Sequence, residues 1–253
     1  MKLIINIIII FLISITLNAR EIGETEITTE DGIEVFQNEK YYLLKQNVKI
    51  VSDNFTLSAD EVKINFDKSL YDITELDANG NVDFKSDEFK TSGSGSYLNF
   101  KVKVEKIKVE GEGSKLVTSD VKMFSDGFIE VNNLSGDFFL KGTNSKLVND
   151  NIIIKAETIN GNFSENANEK EITYLEVIDK NISYVKNNDT QMYAKKINFD
   201  YDTSVIELID DVIIIRNEEK ITGDYGSLNT RNNSYKIKSN NQNKVKVIIQ
   251  NNE

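Results

Sequence analysis

Two pairs of acidic residues are the positions at which this sequence comes nearest to a catalytic pattern. Asp200 and Asp202 alternate within INFDYDTS, so both carboxylates would lie on one face of a strand, and Asp210 is followed directly by Asp211. Paired carboxylates on stacked β repeats can act in glycoside cleavage or hold a metal ion. The first pair also lies where a strand enters a turn, a position that favours Asp for backbone reasons. We therefore expect structural carboxylates at both pairs.

The residue types that are missing narrow the chemistry further. The chain has no His, Cys, Trp or Pro among its 253 residues. Without His and Cys it has no zinc site of the usual kind, no Ser-His or Cys-His pair and no disulfide. Carboxylate, Lys or Tyr chemistry stays open on these grounds, and we expect no catalytic residue, no bound metal and no cofactor.

Composition and charge indicate a folded, acidic protein. Hydrophobic residues make up 39% of the chain, which is enough for a core, and the formal net charge is -11. No basic stripe is available to neutralise phosphates, so nucleic acid is not an expected partner.

The first residues are typical of an export signal. Met1-Lys2 is followed by an apolar stretch over 3–17, and Ala19 precedes the charged Arg20. The apolar stretch is shorter than the roughly 18–20 residues of a spanning helix. We expect residues 1–19 to be a signal peptide cleaved after Ala19, leaving a single elongated domain over 20–253. An exported chain without disulfides fits a bacterial periplasm, although an uncleaved membrane anchor is the alternative.

An internal repeat runs through the rest of the chain. Residues 47–66 align without a gap to residues 81–100, with 8 identities in 20 positions. Small residues recur after polar turn pairs at spacings of 34, 34, 29, 38 and 29 residues. A period of about 33 residues indicates a repeat architecture. The recurring small residues are Ala59, Gly93, Gly127, Ala156, Ala194 and Gly223.

Each repeat predicts β-strands. DEVKINF alternates apolar and polar residues over 60–66. Segments of the same type, rich in Lys, Val and Ile, recur at 102–110 and 243–250. Most segments alternate, so one face of each strand is expected to be wet. The sequence predicts an all-β fold of two stacked antiparallel sheets whose strands pass between them. With roughly 16–20 strands shared by two sheets, and about 4.8 Å between neighbouring strands, the body would be on the order of 40–50 Å long.

The recurring small residues have two interpretations. Ala and Gly let a strand bend at a sheet corner or bulge. They also let a ligand approach the backbone closely, and we favour the bend.

The repeat resembles the periplasmic lipopolysaccharide-transport proteins of the LptA/OstA family. The likeness lies in ADEV (59–62), LDANGNV (76–82) and the segment 31–54, which resembles the opening hairpin of that family. The resemblance covers roughly residues 30–240, with a poor fit over 122–150. It implies an open β-jelly roll, folded like a taco, that is not an enzyme.

The resemblance also implies a function and partners. Family members carry lipopolysaccharide across the periplasm, in a bridge between an inner-membrane complex and an outer-membrane translocon. Expected partners are lipopolysaccharide and the same-fold LptC-like and LptD-like components. A membrane-anchored LptC-like role stays open, and so does a β-solenoid that acts on carbohydrate or serves as an adhesin.

Lipopolysaccharide is anionic and this chain is acidic, so binding would have to come from burial of acyl chains. The inward faces of the first two repeats are the predicted lipid groove, although such residues also fill cores. These candidates are Val62, Ile64, Phe66, Leu76, Val82, Phe84, Leu98 and Phe100.

The two ends of the stack are predicted to be open edges. KVKVIIQNN at 244–252 alternates as a terminal strand should, and residues 41–52 are the candidate for the opposite edge. Unlike edges pair head to tail, which predicts a homo-oligomer or pairing with same-fold partners.

Overall fold

The computed structural model describes residues 23–69, 72–149, 152–166, 169–216, 219–232, 234–240 and 244–249. The predicted signal peptide lies outside these residues. Within them, no helix has the length and apolar character needed to cross a membrane.

The described residues form eighteen β-strands, in agreement with the all-β prediction. In the first half of the chain the strands are β1 Glu26–Thr28, β2 Ile33–Phe36, β3 Tyr41–Val51, β4 Phe55–Phe66, β5 Ile73–Ser86, β6 Thr91–Lys101, β7 Lys106–Glu110, β8 Ser114–Val117 and β9 Val121–Ser125. In the second half they are β10 Phe128–Asn132, β11 Asp137–Asn149, β12 Ile152–Asn166, β13 Glu169–Asn187, β14 Thr190–Asp200, β15 Val205–Arg216, β16 Glu219–Asn229, β17 Ser234–Lys238 and β18 Lys246–Ile249.

Two of the predicted strands are shorter than expected. In the segment 102–110, Val102–Val104 is a short 3-10 turn that ends at Glu105 in the left-handed region, with φ 47°. Only Lys106–Glu110 continues as a strand, because the left-handed residue reverses the chain for the next pairing. In the segment 243–250, of which the structure describes 244–249, the strand begins only at Lys246 and includes Ile249.

Antiparallel pairing joins the strands in one continuous ladder. Each long strand pairs with the next one along the chain, from β3 to β6 and from β11 to β16. In the middle, β6 pairs with both β7 and β8, and β11 pairs with both β10 and β9. The segment 122–150, which fits the repeat poorly in sequence, therefore keeps its place in the ladder.

A corner in each long strand folds this ladder into two layers. The pairing register shifts at the corner, and on three strands the shift coincides with two consecutive residues of positive φ. Left-handed backbone disrupts the pleat and turns the strand sharply. The three pairs are Gln46-Asn47, Gly80-Asn81 and Asp210-Asp211.

We call the two layers the first sheet and the second sheet. The first sheet runs from β2 through β7 and β10 to β17, and the second runs from β1 through β8 and β9 to β18. Because nearly every long strand crosses the corner, each sheet contains fourteen strand segments. At about 4.8 Å per strand the stack is about 60 Å long. The shorter prediction was wrong because it divided the strands between the sheets.

Five of the six small residues lie at the corner, as the bending interpretation predicts. Gly127 lies in the loop that joins β9 of the second sheet to β10 of the first, and the other four lie on long strands. Ala59, Ala156, Ala194 and Gly223 each pair with the residue that resumes the neighbouring strand after its register shift. On β6 the corner position is Gly95, which pairs with Val82, and not Gly93.

Gly93 lies away from the corner, and both Gly93 and Gly127 have a further reason to be small. A Cβ on Gly93 would lie 2.5 Å from a ring carbon of Phe84, and a Cβ on Gly127 would lie 2.2 Å from the carbonyl oxygen of Lys141. Both glycines are therefore required by close approach of a neighbour.

The two ends of the ladder differ from the prediction on one side. At the C-terminal end β17 and β18 each pair only with β16 among the described residues. At the N-terminal end both halves of β3 are covered, by β2 and by β1. The prediction that residues 41–52 form the open edge was wrong, because β1 and β2, within residues 26–36, add one more strand to each sheet beyond β3.

Candidate functional site

The two sheets meet at the corner on one side and face each other across an open mouth on the other. Hairpin turns at 133–136 and 201–204 end strands of the first sheet, and turns at 87–90 and 118–120 end strands of the second. Because the corner lies midway along the long strands, the turns of both sheets form the rims of this mouth. We refer to it below as the mouth.

Aromatic side chains close the mouth in the N-terminal half. Phe89, in a turn of the second sheet, makes an edge-on contact with Phe100 of the first sheet, with ring centroids 6.4 Å apart. On the first sheet alone, Tyr42 and Phe66 pack with ring centroids 5.2 Å apart in the same half. The interior between β3 and β6 is therefore packed up to the rim.

All eight predicted groove residues face this closed interior. Seven of them have side chains less than 9% exposed, and Phe100 is partly buried against the same core. None of the eight lines one of the cavities described below. Their facing follows the alternation in the sequence, while their role in lipid binding stays a prediction. Those in the core are Val62, Ile64, Phe66, Leu76, Val82, Phe84 and Leu98.

The interior opens instead in the C-terminal half, between β11 and β16. A cavity of about 380 Å³ lies between the sheets here. Its floor is apolar and comes from both sheets, because alternate residues of each strand turn inward. We call it the seam cavity. Its apolar lining is Ile152, Ile172, Leu175, Val185, Ile197, Phe199 and Ile206.

The rim of the seam cavity is polar. Amide, hydroxyl and carboxylate side chains surround the opening, so the apolar floor is reached through a hydrated edge. A volume of this size lies within the roughly 300–1,000 Å³ of small-molecule sites, most of which combine an apolar lining with a few polar groups. The rim residues are Asp120, Asn149, Glu171, Asn187, Tyr201 and Thr230.

Two further cavities continue the opening along the mouth. Towards the middle of the molecule, a polar space of about 920 Å³ shares Asp120 with the seam cavity. Towards the C-terminal end, a cavity of about 390 Å³ shares Asn187, Ile206 and Thr230 with it. The mouth is therefore open from Phe89 to the end of the stack.

The acidic pairs that came nearest to a catalytic pattern have structural contacts. The backbone N–H and the hydroxyl of Thr203 donate to Asp200 at 2.9 and 3.1 Å, and these bonds hold the pKa of Asp200 below its ordinary value. Asp210 and Asp211 form the left-handed corner of β15. Asp211 also pairs with Lys195 at 2.9 Å, which raises the pKa of that lysine.

No group of His, Cys, Asp or Glu residues in the described ranges could hold a metal ion. The arrangement offers an apolar space with polar rims, which suits binding of an amphipathic molecule.

Sequence reasoning missed the seam cavity because an inward apolar residue has the same pattern whether it meets a packed neighbour or an opening. The run DNIIIK at 150–155 is the available signal, since it is more apolar than the alternating strands and its Ile152 lines the cavity. It indicates deeper burial but cannot show that the sheets stand apart there.

Comparison with known proteins agrees with the resemblance seen in the repeat. Residues 29–125 match the family described as "LptA/(LptD N-terminal domain) LPS transport protein". The LptA/OstA-like character is therefore confirmed over this part of the chain, which is less than half of its length.

One solved structure with a similar course is LptH, "the LptA homologous periplasmic component of the conserved lipopolysaccharide transport device from Pseudomonas aeruginosa". It is 13% identical, with a TM-score of 0.42, and the alignment covers 52% of this chain and 95% of LptH. No curated protein matches the chain.

Proposed function

We propose that this chain is a lipopolysaccharide-transport protein that holds acyl chains between its two sheets. The observation that carries the proposal is the seam cavity, an apolar space open to solvent along one side of an LptA/OstA-like fold. An open side lets sugars remain in water while the chains are buried. The protein acts by binding and not by catalysis.

The energetics of this binding rest on apolar burial. The chain carries a formal net charge of -11, so overall charge opposes an anionic ligand. Burial contributes about 0.8 kcal/mol per methylene group, so ten buried groups contribute about 8 kcal/mol before the cost of association is subtracted. A single acyl chain in the seam cavity therefore supplies enough to offset weak repulsion.

The eight residues predicted from the first two repeats belong to the same interior. They extend the apolar surface from the seam cavity towards β3, behind the contact of Phe89 with Phe100. We propose that acyl chains enter through the C-terminal half of the mouth and that the N-terminal half is the more tightly packed part of the same groove.

We further propose that the protein is exported, loses residues 1–19 and works in the periplasm as one elongated domain. Mass measurement of the mature protein should then show Arg20 as its first residue. An intact leader in the membrane fraction would favour the anchored LptC-like role instead.

The open edges suggest how the protein takes its place in a bridge. β1 and β2 end the ladder on one side, and β17 and β18 end it on the other. Edge strands carry unpaired backbone groups that pair readily with other strands. We propose that these edges join same-fold LptC-like and LptD-like partners, or further copies of this chain.

A pair of variants on β13 tests the lipid-binding proposal. Ile172 is 8% exposed and lines the seam cavity, whereas the nearby Tyr174 is 42% exposed and does not line it. A carboxylate at the first position should weaken binding of purified lipopolysaccharide at least tenfold, because the charge would lie against acyl chains. Tyr174→Asp should bind as the wild type does.

Circular dichroism must show the same sheet content in both variants, since a buried charge can also unfold the protein. A folded Ile172→Asp variant that binds lipopolysaccharide as well as Tyr174→Asp would rule out the seam cavity as the binding site.

A further inference from the structure

The chain uses arginine in very few places. Only three of its thirty cationic residues are arginines, Arg20, Arg216 and Arg231, and the rest are lysines. Arg216 and Arg231 are the two arginines within the described residues, and both line the same cavity. They come from different sheets, since Arg216 ends β15 in the second sheet and Arg231 follows β16 in the first.

This cavity is the one of about 390 Å³ that adjoins the seam cavity, and we call it the arginine cavity. Asn187, Ile206 and Thr230 line both spaces, so a molecule in one reaches directly into the other. Met192 and Leu228 add apolar surface beside the arginines.

No carboxylate among the described residues forms an ion pair with either arginine. Arg231 donates from Nη2 to the backbone carbonyl oxygen of Asp202 at 3.2 Å. Across the ladder from Arg216 lies Glu219, whose carboxylate accepts from the hydroxyl of Tyr235 at 3.5 Å.

Charge therefore changes sign along the mouth. The seam cavity has Asp120 and Glu171 on its rim and no cation in its lining. The arginine cavity has one carboxylate, Asp189, against two guanidinium groups. In a chain with a formal net charge of -11, this is a local reversal that favours an anionic group at one end of an apolar space.

Guanidinium groups are suited to a particular anion. Their planar arrangement of N–H donors matches the oxygens of a phosphate in pairs, which a lysine ammonium cannot do. We propose that the arginine cavity binds the phosphate ester of an acylated lipid whose chain occupies the seam cavity. This assignment rests on the proposed function and adds the chemical class of the head group and the orientation of the lipid.

A free phosphate ion does not explain the site equally well. A small anion would use the guanidinium groups alone. The apolar surface of Ile206, Met192 and Leu228 beside them favours a ligand with both a charged end and a hydrocarbon chain, and Ile206 continues that surface into the seam cavity. The orientation follows, with the charged end towards β17 and the chain towards the middle of the molecule.

The test compares two single-chain probes of equal chain length, dodecyl phosphate and dodecyl maltoside, with the full mature chain. The wild type should bind both, and the alkyl phosphate more tightly. The double variant Arg216→Gln/Arg231→Gln should bind the alkyl phosphate about tenfold or more weakly, since each charge-assisted hydrogen bond adds roughly that much affinity. Its affinity for the maltoside should be unchanged.

Two controls separate specific binding from bulk charge. Lys220→Gln/Lys238→Gln removes two cations from exposed strands at the same end of the stack and should leave both affinities unchanged. Arg216→Lys/Arg231→Lys keeps the charge but loses the paired donors, and should bind the alkyl phosphate with intermediate affinity.

The outcomes distinguish the two proposals. Normal binding of the alkyl phosphate by the double glutamine variant, or an equal loss in the lysine control, would overturn the arginine site while leaving the seam cavity intact. Displacement of the alkyl phosphate by inorganic phosphate at similar concentration would also overturn it. A wild type that binds neither probe would contradict the proposed function itself.

Discussion

At the residue scale, the sequence predicts which side chains point into the interior, because successive side chains of a strand point to opposite faces. Val62, Ile64 and Phe66 lie on one side of β4, and all three are in the core. What the alternation could not show is which inward residues meet a packed neighbour and which meet an opening. Ile64 and Ile206 carry the same sequence signal, yet only Ile206 lines a cavity.

Small polar residues at the corner are a second feature that the sequence did not reveal. Ser125 and Ser183 are buried, and their hydroxyls donate to the carbonyl oxygens of Lys141 and Lys195 at 2.9 and 3.2 Å. The register shift takes backbone groups out of the ladder, and a buried carbonyl left without a donor is costly. Serine is therefore a corner residue here for a reason other than its size.

Gly93 provides a prediction at this scale. A methyl group there would press against the ring of Phe84 and the carbonyl oxygen of Lys115, at 2.5 and 2.7 Å. Gly93→Ala should lower the free energy of unfolding by about 1–3 kcal/mol, the usual cost of overpacking. Ser94→Ala, one residue along β6, should change it by less than about 0.5 kcal/mol. Denaturant unfolding measures both, and equal stabilities would show that the site can relax.

At the scale of the elements, the repeat predicts the strands and the left-handed pairs explain the corner. Gly80-Asn81 is a recognisable signal for such a bend, because Gly adopts positive φ freely. Gln46-Asn47 and Asp210-Asp211 are weaker signals, because Asn and Asp adopt positive φ at a modest cost and Gln at a larger one. The split of the corner strands into β7, β8, β9 and β10 could not be predicted, because it depends on loops at 111–113 and 126–127 that interrupt the repeat.

Asp126 stabilises one of these interrupted corners. Its carboxylate accepts from the hydroxyl of Thr143 at 2.6 Å and from the backbone N–H of Asn144 at 3.3 Å. The bond from Thr143 is the main reason that the pKa of Asp126 lies below its ordinary value. The group lies at the surface, so the stabilisation should be below about 1 kcal/mol.

The sign of its pH dependence follows from this lowered pKa. The stabilisation is present above the unfolded-state pKa of about 3.9 and is lost as the pH falls through the lower pKa of the folded protein. Asp126→Asn should therefore be less stable than the wild type at pH 7, and the difference should shrink by about pH 3. Urea unfolding at both pH values measures this, with the exposed Asp83→Asn as control. A difference that persists at the lower pH would contradict the assignment.

At the scale of the whole molecule, the structure is a stack with a packed N-terminal half and an open C-terminal half. The family likeness covers residues 29–125, which form most of the packed half. The part that opens is therefore the part that the sequence resemblance describes least. The length of the stack and its two edges follow from the order of strand pairing, and the unpaired backbone groups of such edges favour pairing with a further strand.

Pairing of edge strands between copies of the chain gives a prediction for the assembled protein. Val247 is 53% exposed and lies opposite Ile221 in the pairing of β18 with β16. Val247→Pro should prevent a further strand from pairing there while the body stays folded, because proline removes a backbone donor. Light scattering over a concentration series should show that the molar mass of the wild type rises with concentration while the variant stays monomeric. A wild type that stays monomeric at high concentration would contradict self-association. It would instead indicate that the lysines on β18 keep this edge from pairing.

The most direct test of the account is photo-crosslinking in living cells at two adjacent positions of β15. Ile206 is 6% exposed and lines both cavities, and the next residue, Glu207, points outward and accepts from the hydroxyl of Tyr225 at 2.9 Å. A photoreactive residue at position 206 should give an adduct with lipopolysaccharide, and one at position 207 should give none. Equal adducts at both positions, or no adduct at 206 in a folded and exported protein, would contradict the claim that acyl chains travel between the two sheets.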